Sequence, residues 1–218
     1  MTPGFNHVRT WIFDLDNTLY PASANLFALI DVRMGRFIAD LLGVDAVEAR
    51  RLQKQWFVDH GTTLNGLMLD HGVDPAPFLD YVHDITLDRI GPDPMLAEAI
   101  SALPGRKLVF TNADADYARR VLDKRGLADC FEAVFDIHDC VYRPKPELAG
   151  YEGLCQRYDV DPASALMVED MARNLKPAKQ LGMATVWVNN GSEHGHAEAC
   201  PSFIDLEISD VSDWLTGI

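Results

Sequence analysis

Short runs of consecutive apolar residues recur along the chain, and polar residues follow each run. The runs are rich in β-branched and aromatic side chains and occupy residues 11–13, 108–110, 133–135, 165–168 and 185–188. A run that is apolar throughout, rather than at every second position, is typical of a strand buried on both faces of a parallel sheet. We therefore predict a strand at each of these places.

Segments with helical spacing separate the later runs. They cover residues 117–127, 148–158 and 175–181, and the last of them ends at Gly182, a residue type that commonly stops helices. Strands that alternate with helices in this way form a parallel sheet with right-handed crossovers. The predicted fold class is therefore α/β, with a doubly wound parallel sheet of Rossmann-like form.

The stretch between the first and second apolar runs contains only helical patterns. A first helix is indicated by apolar residues at three- and four-residue spacing, namely Leu26, Phe27, Ile30, Met34, Phe37, Ile38 and Leu41. Three further helical patterns follow, at 45–56, around 64–68 and at 77–85. Because this is too much helix for one crossover, we predict a small helical cap domain at residues 21–94. It would be inserted into a core domain made of residues 1–20 and 95–218.

The net charge of the chain is −14, from 33 acidic and 19 basic residues. Nucleic acid polymers and anionic membranes would be repelled by such a chain, so we expect neither as a partner. An anionic small molecule would bind only where local cations outweigh this field.

The remaining composition points to an ordinary cytoplasmic protein. The four cysteines form no CxxC pair and are expected to be reduced thiols. The N-terminal segment is polar and no long apolar run follows it, which favours a cytoplasmic location. Nothing in the patterns indicates a particular oligomeric state.

Polar side chains follow the predicted strands at the points where the strands end. Asp14 and Asp16 come directly after the first strand, in the segment Phe13-Asp14-Leu15-Asp16-Asn17-Thr18-Leu19. The later polar residues are Thr111 and Asn112, then Lys145 in a loop stiffened by two prolines, then Glu169 and Asp170, and finally Asn174.

Taken singly, these residues also have structural explanations. Thr111 could be a turn hydroxyl, Lys145 a solvated surface charge and Asp170 the N-cap of a helix. The carboxyl ends of parallel strands, however, meet at one edge of the sheet, where ligands of open α/β folds bind. We therefore interpret these acids, the hydroxyl and the cation together as one site.

In order and spacing these residues resemble the four motifs of the haloacid dehalogenase superfamily of phosphatases. The matching segments are Asp14-Leu15-Asp16-Asn17-Thr18, Thr111-Asn112, Lys145-Pro146 and Glu169-Asp170, and the resemblance spans essentially the whole chain. The helical stretch after the first motif is similar to the small helical cap of that superfamily.

The resemblance implies a magnesium-dependent phosphatase and a role for each site residue. The implied roles are nucleophile for Asp14, general acid and base for Asp16, Mg²⁺ ligand for Asp14, Asp170 and the backbone carbonyl of Asp16, phosphate binding for Thr111, Asn112 and Lys145, and support of the metal site for Glu169 and Asn174. These roles suit phosphoryl transfer, which needs an in-line nucleophile, neutralised equatorial oxygens and a proton for the leaving alkoxide. A carboxylate can be the nucleophile through an aspartyl-phosphate, and hard oxygen ligands suit octahedral magnesium.

A closer resemblance is to the pyrimidine 5′-nucleotidase branch of the superfamily. It is carried by Asp16-Asn17-Thr18-Leu19-Tyr20, Phe110-Thr111-Asn112-Ala113 and, in the cap, His60-Gly61-Thr62-Thr63-Leu64-Asn65-Gly66-Leu67. Two positions depart from that branch: His60 replaces the usual tyrosine, and Asn65 stands where a basic residue is common. The residues expected to recognise the leaving group are Tyr20, His60, Thr62, Thr63 and Asn65.

The substrates implied by this resemblance are small phosphate monoesters, above all pyrimidine nucleoside 5′-monophosphates. Sugar phosphates and phosphoglycolate are the alternatives within the same chemistry. A hydrolase of carbon–halogen bonds is a more distant alternative, because halide leaves without a proton or a metal and such an enzyme would not need Asp16 or Asp170. A non-catalytic phosphate-binding module is the least favoured. Such a module would not need the nucleophile Asp14, and this chain retains it.

Overall fold

A computed structural model describes residues 4–217 and contains one six-stranded, fully parallel sheet. The strands are β1 (Thr10–Phe13), β2 (Arg106–Phe110), β3 (Ala133–Phe135), β4 (Ala165–Glu169), β5 (Ala184–Val188) and β6 (Leu206–Ile208). Their order across the sheet is β3-β2-β1-β4-β5-β6. The doubly wound α/β fold class is thereby confirmed.

The α-helices of the described residues lie between and after these strands. They are α1 (Phe27–Leu42), α2 (Ala46–His60), α3 (Thr63–His71), α4 (Pro75–His83), α5 (Pro94–Ala102), α6 (Ala115–Arg125), α7 (Leu148–Tyr158), α8 (Ala172–Leu181) and α9 (Val211–Thr216). Helices α1 to α4 all fall between β1 and α5, and we call them the helical insertion. The division of the chain into a core domain and a cap domain stays a prediction.

Several boundaries differ from those predicted. Helix α4 begins at Pro75, where Asp74 caps it, and ends at His83, so Ile85 lies beyond it. Helix α8 starts three residues earlier than expected, at Ala172. Strand β6 and helices α5 and α9 were not predicted from the sequence. β6 is only three residues long and is half-buried or exposed, so it lacks the fully apolar run that marks the other strands.

Strand β1 lies at the centre of the sheet and pairs with β2 on one side and β4 on the other. In both pairs the last residue of β1, Phe13, lies opposite a buried valine, Val109 or Val168. Successive side chains of β1 pack into different hydrophobic clusters. Trp11 and Phe13 belong to one cluster, and Ile12 belongs to the other. The centre of the sheet is therefore covered on both faces, and its three central strands end side by side.

Aspartate side chains begin many of the helical segments. Among the described residues, an aspartate accepts a backbone N–H at the start of six segments, five α-helices and one 3₁₀ turn: Asp45, Asp74, Asp93, Asp114, Asp161 and Asp210. Each cap satisfies a donor that would otherwise have no partner, and its negative charge complements the helix dipole. Part of the negative charge of the chain therefore comes from aspartates that cap helical segments.

Within the helical insertion, α1 packs against α2 and α4, and α3 packs against α2. The contact between α2 and α3 is very close at Gly66, where a Cβ atom would overlap the side chain of Trp56. Trp56 is buried and donates its indole N–H to Asp70 Oδ2 at 2.8 Å. Glycine at position 66 therefore sets how closely these two helices approach.

We predict that Gly66→Ala lowers the free energy of unfolding by about 1–3 kcal/mol, because the added methyl overpacks the site and displaces Trp56. Denaturant unfolding monitored by tryptophan fluorescence measures the change. The matched control is Gly153→Ala in α7, where a Cβ would lie 3.5 Å from the Phe135 ring, an ordinary contact. That control should be neutral or stabilising by up to about 1 kcal/mol. Equal effects of the two variants would contradict this account.

Candidate active site

Four charged side chains meet at the carboxyl edge of the sheet. Asp14 follows β1, Glu169 ends β4, Asp170 is the next residue, and Lys145 lies in the loop between β3 and α7. One carboxylate oxygen from each of the three acids lies within 4.8 Å of the others. All four side chains are buried. Strand order accounts for the meeting of the three acids, since β1 and β4 are neighbours, whereas Lys145 reaches them from a loop.

The Lys145 ammonium is the central hydrogen-bond donor of this cluster. Its Nζ donates to Asp14 Oδ1 at 2.7 Å, to Glu169 Oε2 at 2.6 Å and to the Phe110 carbonyl at 2.9 Å. The ammonium thus uses all three of its protons, and the residue is only 1% exposed. Burial lowers the pKa of Lys145, but the charges of Asp14 and Glu169 outweigh this effect and raise it above its ordinary value. Lys145 therefore stays charged.

Asn112 holds the loop that carries Lys145. Its Oδ1 accepts the Lys145 backbone N–H at 2.8 Å, and its Nδ2 donates to the Lys145 carbonyl at 3.2 Å. The neighbouring Thr111 is 1% exposed, and its hydroxyl accepts the Ala113 N–H at 3.0 Å. Asn112 lines the cavity described below. The structure thus gives Asn112 a positioning contact that the sequence did not indicate.

The three carboxylates repel one another and are poorly solvated. Burial, and then the charge of Glu169, raise the pKa of Asp14 to about 6, although Lys145 opposes the shift. Burial raises the pKa of Asp170 well above its ordinary value, and the charges of Asp14 and Glu169 add to this. A cluster of this kind is stabilised by additional positive charge. Its donors are all hard oxygens, which suits a divalent cation such as magnesium.

The oxygens of Glu169 are already engaged. Oε2 accepts from Lys145 and Oε1 accepts the Met171 N–H at 3.2 Å. Glu169 is thus placed to orient Lys145.

The neighbouring groups are also held in place. Asp14 Oδ2 accepts the Thr18 hydroxyl at 3.1 Å, and the backbone carbonyl of Asp170 accepts the Trp187 indole N–H at 2.9 Å. Asn174 is buried.

Asp16 is held by two phenols. Its Oδ1 accepts the Tyr20 hydroxyl at 2.5 Å and the Tyr117 hydroxyl at 2.9 Å. Burial, and then the charge of Asp14, raise the pKa of Asp16 above its ordinary value. Asp16 therefore keeps a proton to higher pH than an exposed aspartate does. The Tyr117 ring stacks on His83 at 4.5 Å, and neither of these residues was predicted to belong to the site.

A cavity of about 510 Å³ separates this edge of the sheet from the helical insertion. Of the predicted recognition residues, Thr62 and Thr63 line it, whereas Tyr20, His60 and Asn65 do not. Tyr20 is buried against Asp16, and Asn65 donates from Nδ2 to the His60 carbonyl at 3.0 Å. The side chains of Tyr20 and Asn65 are thus each held by a hydrogen bond within the protein.

The cavity is also lined by residues that were not predicted, several of them charged. On the insertion side it is lined by Asp31, Arg50, Gln53, Lys54 and Phe57, and on the core side by Arg173 and His194. Asp31 is buried; its Oδ1 accepts from Gln53 Nε2 at 2.5 Å, and it forms a salt bridge with Arg50. The sequence offered one signal, since Asp31 falls beside Ile30 on an otherwise apolar helical stripe. Its partners come from a different helix and could not be paired with it from the sequence.

The fold and this cluster define a class of protein. A family model described as haloacid dehalogenase-like hydrolase matches residues 8–182. The match covers most of the chain, and the chain therefore belongs to the haloacid dehalogenase-like hydrolases. The predicted superfamily is thus confirmed. The finer assignment to the pyrimidine 5′-nucleotidase branch stays a prediction.

Individual relatives share a quarter or so of their residues with this chain. Phosphate metabolism protein 8 of Saccharomyces cerevisiae is 27% identical over 198 residues, covering 82% of this chain and 60% of that protein. A phosphoglycolate phosphatase of Vibrio vulnificus is 28% identical over 107 residues, covering 48% of this chain and 46% of that enzyme. A phosphoglycolate phosphatase of Shigella boydii is 24% identical over 233 residues, covering 95% and 89%. The chain thus spans less than two thirds of the length of the first two relatives.

Solved structures show the same fold. A HAD phosphatase from Thermococcus onnurineus superposes with a TM-score of 0.63 at 22% identity, covering 96% of this chain and 97% of that one. The L-2-haloacid dehalogenase of Xanthobacter autotrophicus superposes with a TM-score of 0.58 at 16% identity, again covering 96% and 97%. Phosphatases and dehalogenases share this fold, so the choice between the two reactions depends on side chains.

In the part of the chain that the structure describes, every helix is too short or too polar to cross a membrane. Its four cysteines are unpaired, as expected from their spacing.

We predict that Lys145→Met lowers the free energy of unfolding by about 3–5 kcal/mol at pH 8, because it leaves buried carboxylates without their cation. The loss should be smaller at pH 5. Asp14, whose pKa is already raised to about 6 with the lysine present, is then largely protonated and needs no partner. Urea unfolding at the two pH values measures the difference.

The control for this prediction is Lys179→Met, which removes a half-exposed lysine paired with Asp205 at 2.5 Å. Surface pairs contribute about 0–1 kcal/mol, so this variant should lose little at either pH. A loss for Lys145→Met that is the same at pH 5 and pH 8 would show that the ammonium does not neutralise the cluster.

Proposed function

We propose that this chain is a magnesium-dependent phosphatase that hydrolyses small phosphate monoesters through an aspartyl-phosphate intermediate. The observation that carries the proposal is the pairing of two differently placed aspartates. Asp14 lies in the Lys145 cluster, whereas Asp16, two residues later, is held by phenols and keeps its proton more readily than an exposed aspartate. A nucleophile and a general acid need these two different environments.

In the first step Asp14 attacks phosphorus, and the bond to the ester oxygen breaks. Lys145 stays protonated and neutralises charge at the reacting carboxylate, and Asp16 gives its proton to the leaving alkoxide. The products are the free alcohol and an acyl phosphate on Asp14.

In the second step water hydrolyses the acyl phosphate. Asp16, now ionised, accepts a proton from that water, so the residue returns to its starting state. Tyr20 and Tyr117 keep Oδ1 of Asp16 in place through both steps, which leaves its other oxygen for the proton transfer. Inorganic phosphate then leaves, and Asp14 is regenerated.

Asp14, Asp170 and the backbone carbonyl of Asp16 are proposed to hold Mg²⁺. The all-oxygen set of Asp14, Glu169 and Asp170, within 4.8 Å of one another, fits that ion, and the raised pKa values of Asp14 and Asp170 reflect a site that favours added positive charge. When bound, Mg²⁺ supplies charge for the phosphate oxygens that the acidic chain lacks. Thr111 and Lys145 are proposed to bind phosphate as well, for which the Lys145 ammonium must exchange one of its three hydrogen bonds, while Glu169 and Asn174 support the metal site.

A dehalogenase would not need this arrangement. Halide leaves without a proton, so the two phenols that hold Asp16 would have no purpose. Displacement of halide also needs no metal, and the close approach of Asp170 to Asp14 and Glu169 would then only destabilise the protein. These two features favour phosphatase over dehalogenase activity. A location in the cytoplasm stays a prediction.

Among phosphate esters we propose pyrimidine nucleoside 5′-monophosphates as the first substrates to test. The nucleotidase-like segment at 60–67 supplies Thr62 and Thr63 to the cavity, and the cavity of about 510 Å³ accommodates a nucleoside. Phosphoglycolate is the second candidate, since relatives with that activity align with this chain. Sugar phosphates complete the set.

The proposal predicts phosphate release from UMP and CMP in the presence of Mg²⁺, at higher kcat/KM than from AMP or GMP, because residues 61–64, which line the cavity, belong to the segment that resembles pyrimidine 5′-nucleotidases. A colorimetric phosphate assay over nucleotides, sugar phosphates and phosphoglycolate measures the order. The matched variant is Asp14→Asn, which keeps size and removes the nucleophile; it should lower turnover of every substrate by several orders of magnitude. Substantial turnover by folded Asp14→Asn would remove Asp14 from its role, and wild-type protein inactive on all these esters would end the proposal.

We also predict that Mg²⁺ raises the melting temperature more at pH 7.5 than at pH 5. A ligand that binds only the folded state stabilises it, but protons compete for the carboxylates. Because the pKa of Asp14 is raised to about 6, this competition is strong at pH 5 and weak at pH 7.5. Thermal unfolding with MgCl₂, against NaCl of equal ionic strength, measures the gain.

Asp170→Asn tests the same site and should abolish the Mg²⁺-dependent gain. Asp88→Asn, which changes an exposed aspartate, should keep it. A gain that is independent of pH, or one that survives in Asp170→Asn, would place the ion elsewhere.

A further inference from the structure

The cavity beside the charged cluster is lined by residues that carry unpaired polar atoms. Among residues 4–217, the buried side-chain atoms without a hydrogen bond are Gln53 Oε1, Arg173 Nε, Asn174 Oδ1 and Trp214 Nε1. The first three belong to residues that line this one cavity. Buried polar groups are nearly always paired, so unpaired ones gathered at a single cavity point to a ligand. Asn174 has been proposed above to support the metal site, which leaves Arg173 and Gln53 to be explained.

Arg173 lies at the boundary between the sheet edge and the helical insertion. It is the second residue of α8, three residues after Asp170. Its Nη2 donates to the Gly61 carbonyl at 3.2 Å, and its guanidinium carbon lies 4.5 Å from the centroid of the Phe57 ring. Both contacts are with the helical insertion, and neither is with a carboxylate. A guanidinium carries five N–H donors, and among the described residues only one donor of Arg173 has a hydrogen-bond partner.

Gln53 faces the same cavity from α2. Its Nε2 donates to Asp31 Oδ1 at 2.5 Å, which fixes the amide orientation and leaves Oε1 as an acceptor. Phe57, the aromatic partner of Arg173, follows one helical turn later on α2. The wall of the cavity thus combines a cationic donor from the core with a neutral acceptor from the insertion.

We propose that Arg173 and Gln53 form a subsite for the leaving group, in which Arg173 determines specificity by donating to an oxygen acceptor on the alcohol part of the ester. The inference rests on the proposed phosphatase function. The carbonyl oxygens of a pyrimidine base and the carboxylate of a phosphorylated hydroxy acid both offer such acceptors, and a guanidinium suits either. Gln53 Oε1 accepts an N–H or hydroxyl where the leaving group is a nucleoside; the carboxylate of phosphoglycolate offers it no donor.

The position of Arg173 separates this role from phosphate binding. The buried ammonium of Lys145 already contacts Asp14, whereas Arg173 contacts Gly61 and Phe57. A residue that bound only phosphate, or that only attached the insertion to the core, would affect all substrates equally. A residue that binds the leaving group affects only substrates that carry the acceptor.

The test compares Arg173→Met with wild type on UMP, phosphoglycolate and phenyl phosphate, the last of which has no acceptor in its leaving group. We expect kcat/KM to fall about 10- to 100-fold, mainly through KM, for whichever acceptor-bearing substrate the enzyme uses, since a charged hydrogen bond is lost. Phenyl phosphate should change less than about threefold. Selective loss on UMP identifies the pyrimidine carbonyl as the acceptor, and selective loss on phosphoglycolate identifies the carboxylate.

The matched control is Lys176→Met, which removes an exposed cation from the same helix and should leave all three rates unchanged. Thermal unfolding checks that the variants are folded, and Arg173→Lys, which keeps the charge but loses the planar fork, should show a smaller loss with the same selectivity. An equal loss on all three substrates, or no loss, overturns the subsite while the phosphatase activity stands. A wild-type enzyme that hydrolyses none of the three, and no sugar phosphate either, overturns the proposed function itself.

Discussion

The rest of the site depends on one buried ammonium. Lys145 lies between Asp14 and Glu169 and neutralises carboxylates that the fold forces together at the end of two adjacent strands. Without it, folding would confine three acids within 4.8 Å of one another with no internal cation. Even with it the cluster remains short of positive charge, as the raised pKa of Asp14 shows. The same deficit that weakens the folded protein is the physical reason for proposing that the site binds a divalent cation.

The sheet supplies the other half of this arrangement. Because β1 is flanked by β2 and β4 in matched register, the residues that follow these strands emerge side by side although they are far apart along the chain. In the proposed function the edge of the sheet carries the reaction, and the helical insertion contributes most of the opposite wall of the cavity. With the proposed role of Arg173, recognition of the leaving group would combine the insertion with a residue of α8, so the two parts of the chain would have to change together at this subsite.

The residues that follow the strands could be predicted from the sequence. The cavity residues that are positioned by contacts between helices could not. Continuous apolar runs marked β1 to β5, so the acids that follow them could be placed at one edge of the sheet from the sequence alone. The half-buried β6 carried no such signal. The recognition residues were harder: His60 and Asn65 are close to Thr62 and Thr63 in sequence, but only the two threonines line the cavity. Arg173 was not found because its contacts, Phe57 and Gly61, are more than a hundred residues away, and no local pattern encodes the packing of α2 against the start of α8.

The aspartate caps limit how the surface of this protein can evolve. Six of its acidic side chains accept backbone N–H groups at the starts of helical segments, so they cannot be exchanged freely for neutral or basic residues. Only asparagine, serine or threonine would keep the hydrogen bond, and each removes one negative charge as it does so. A descendant that drifts toward a neutral isoelectric point would therefore gain lysines and arginines at other positions, or lose its acids at helix starts in favour of those three residues. The capping positions should therefore stay recognisable in related sequences even where the net charge has changed.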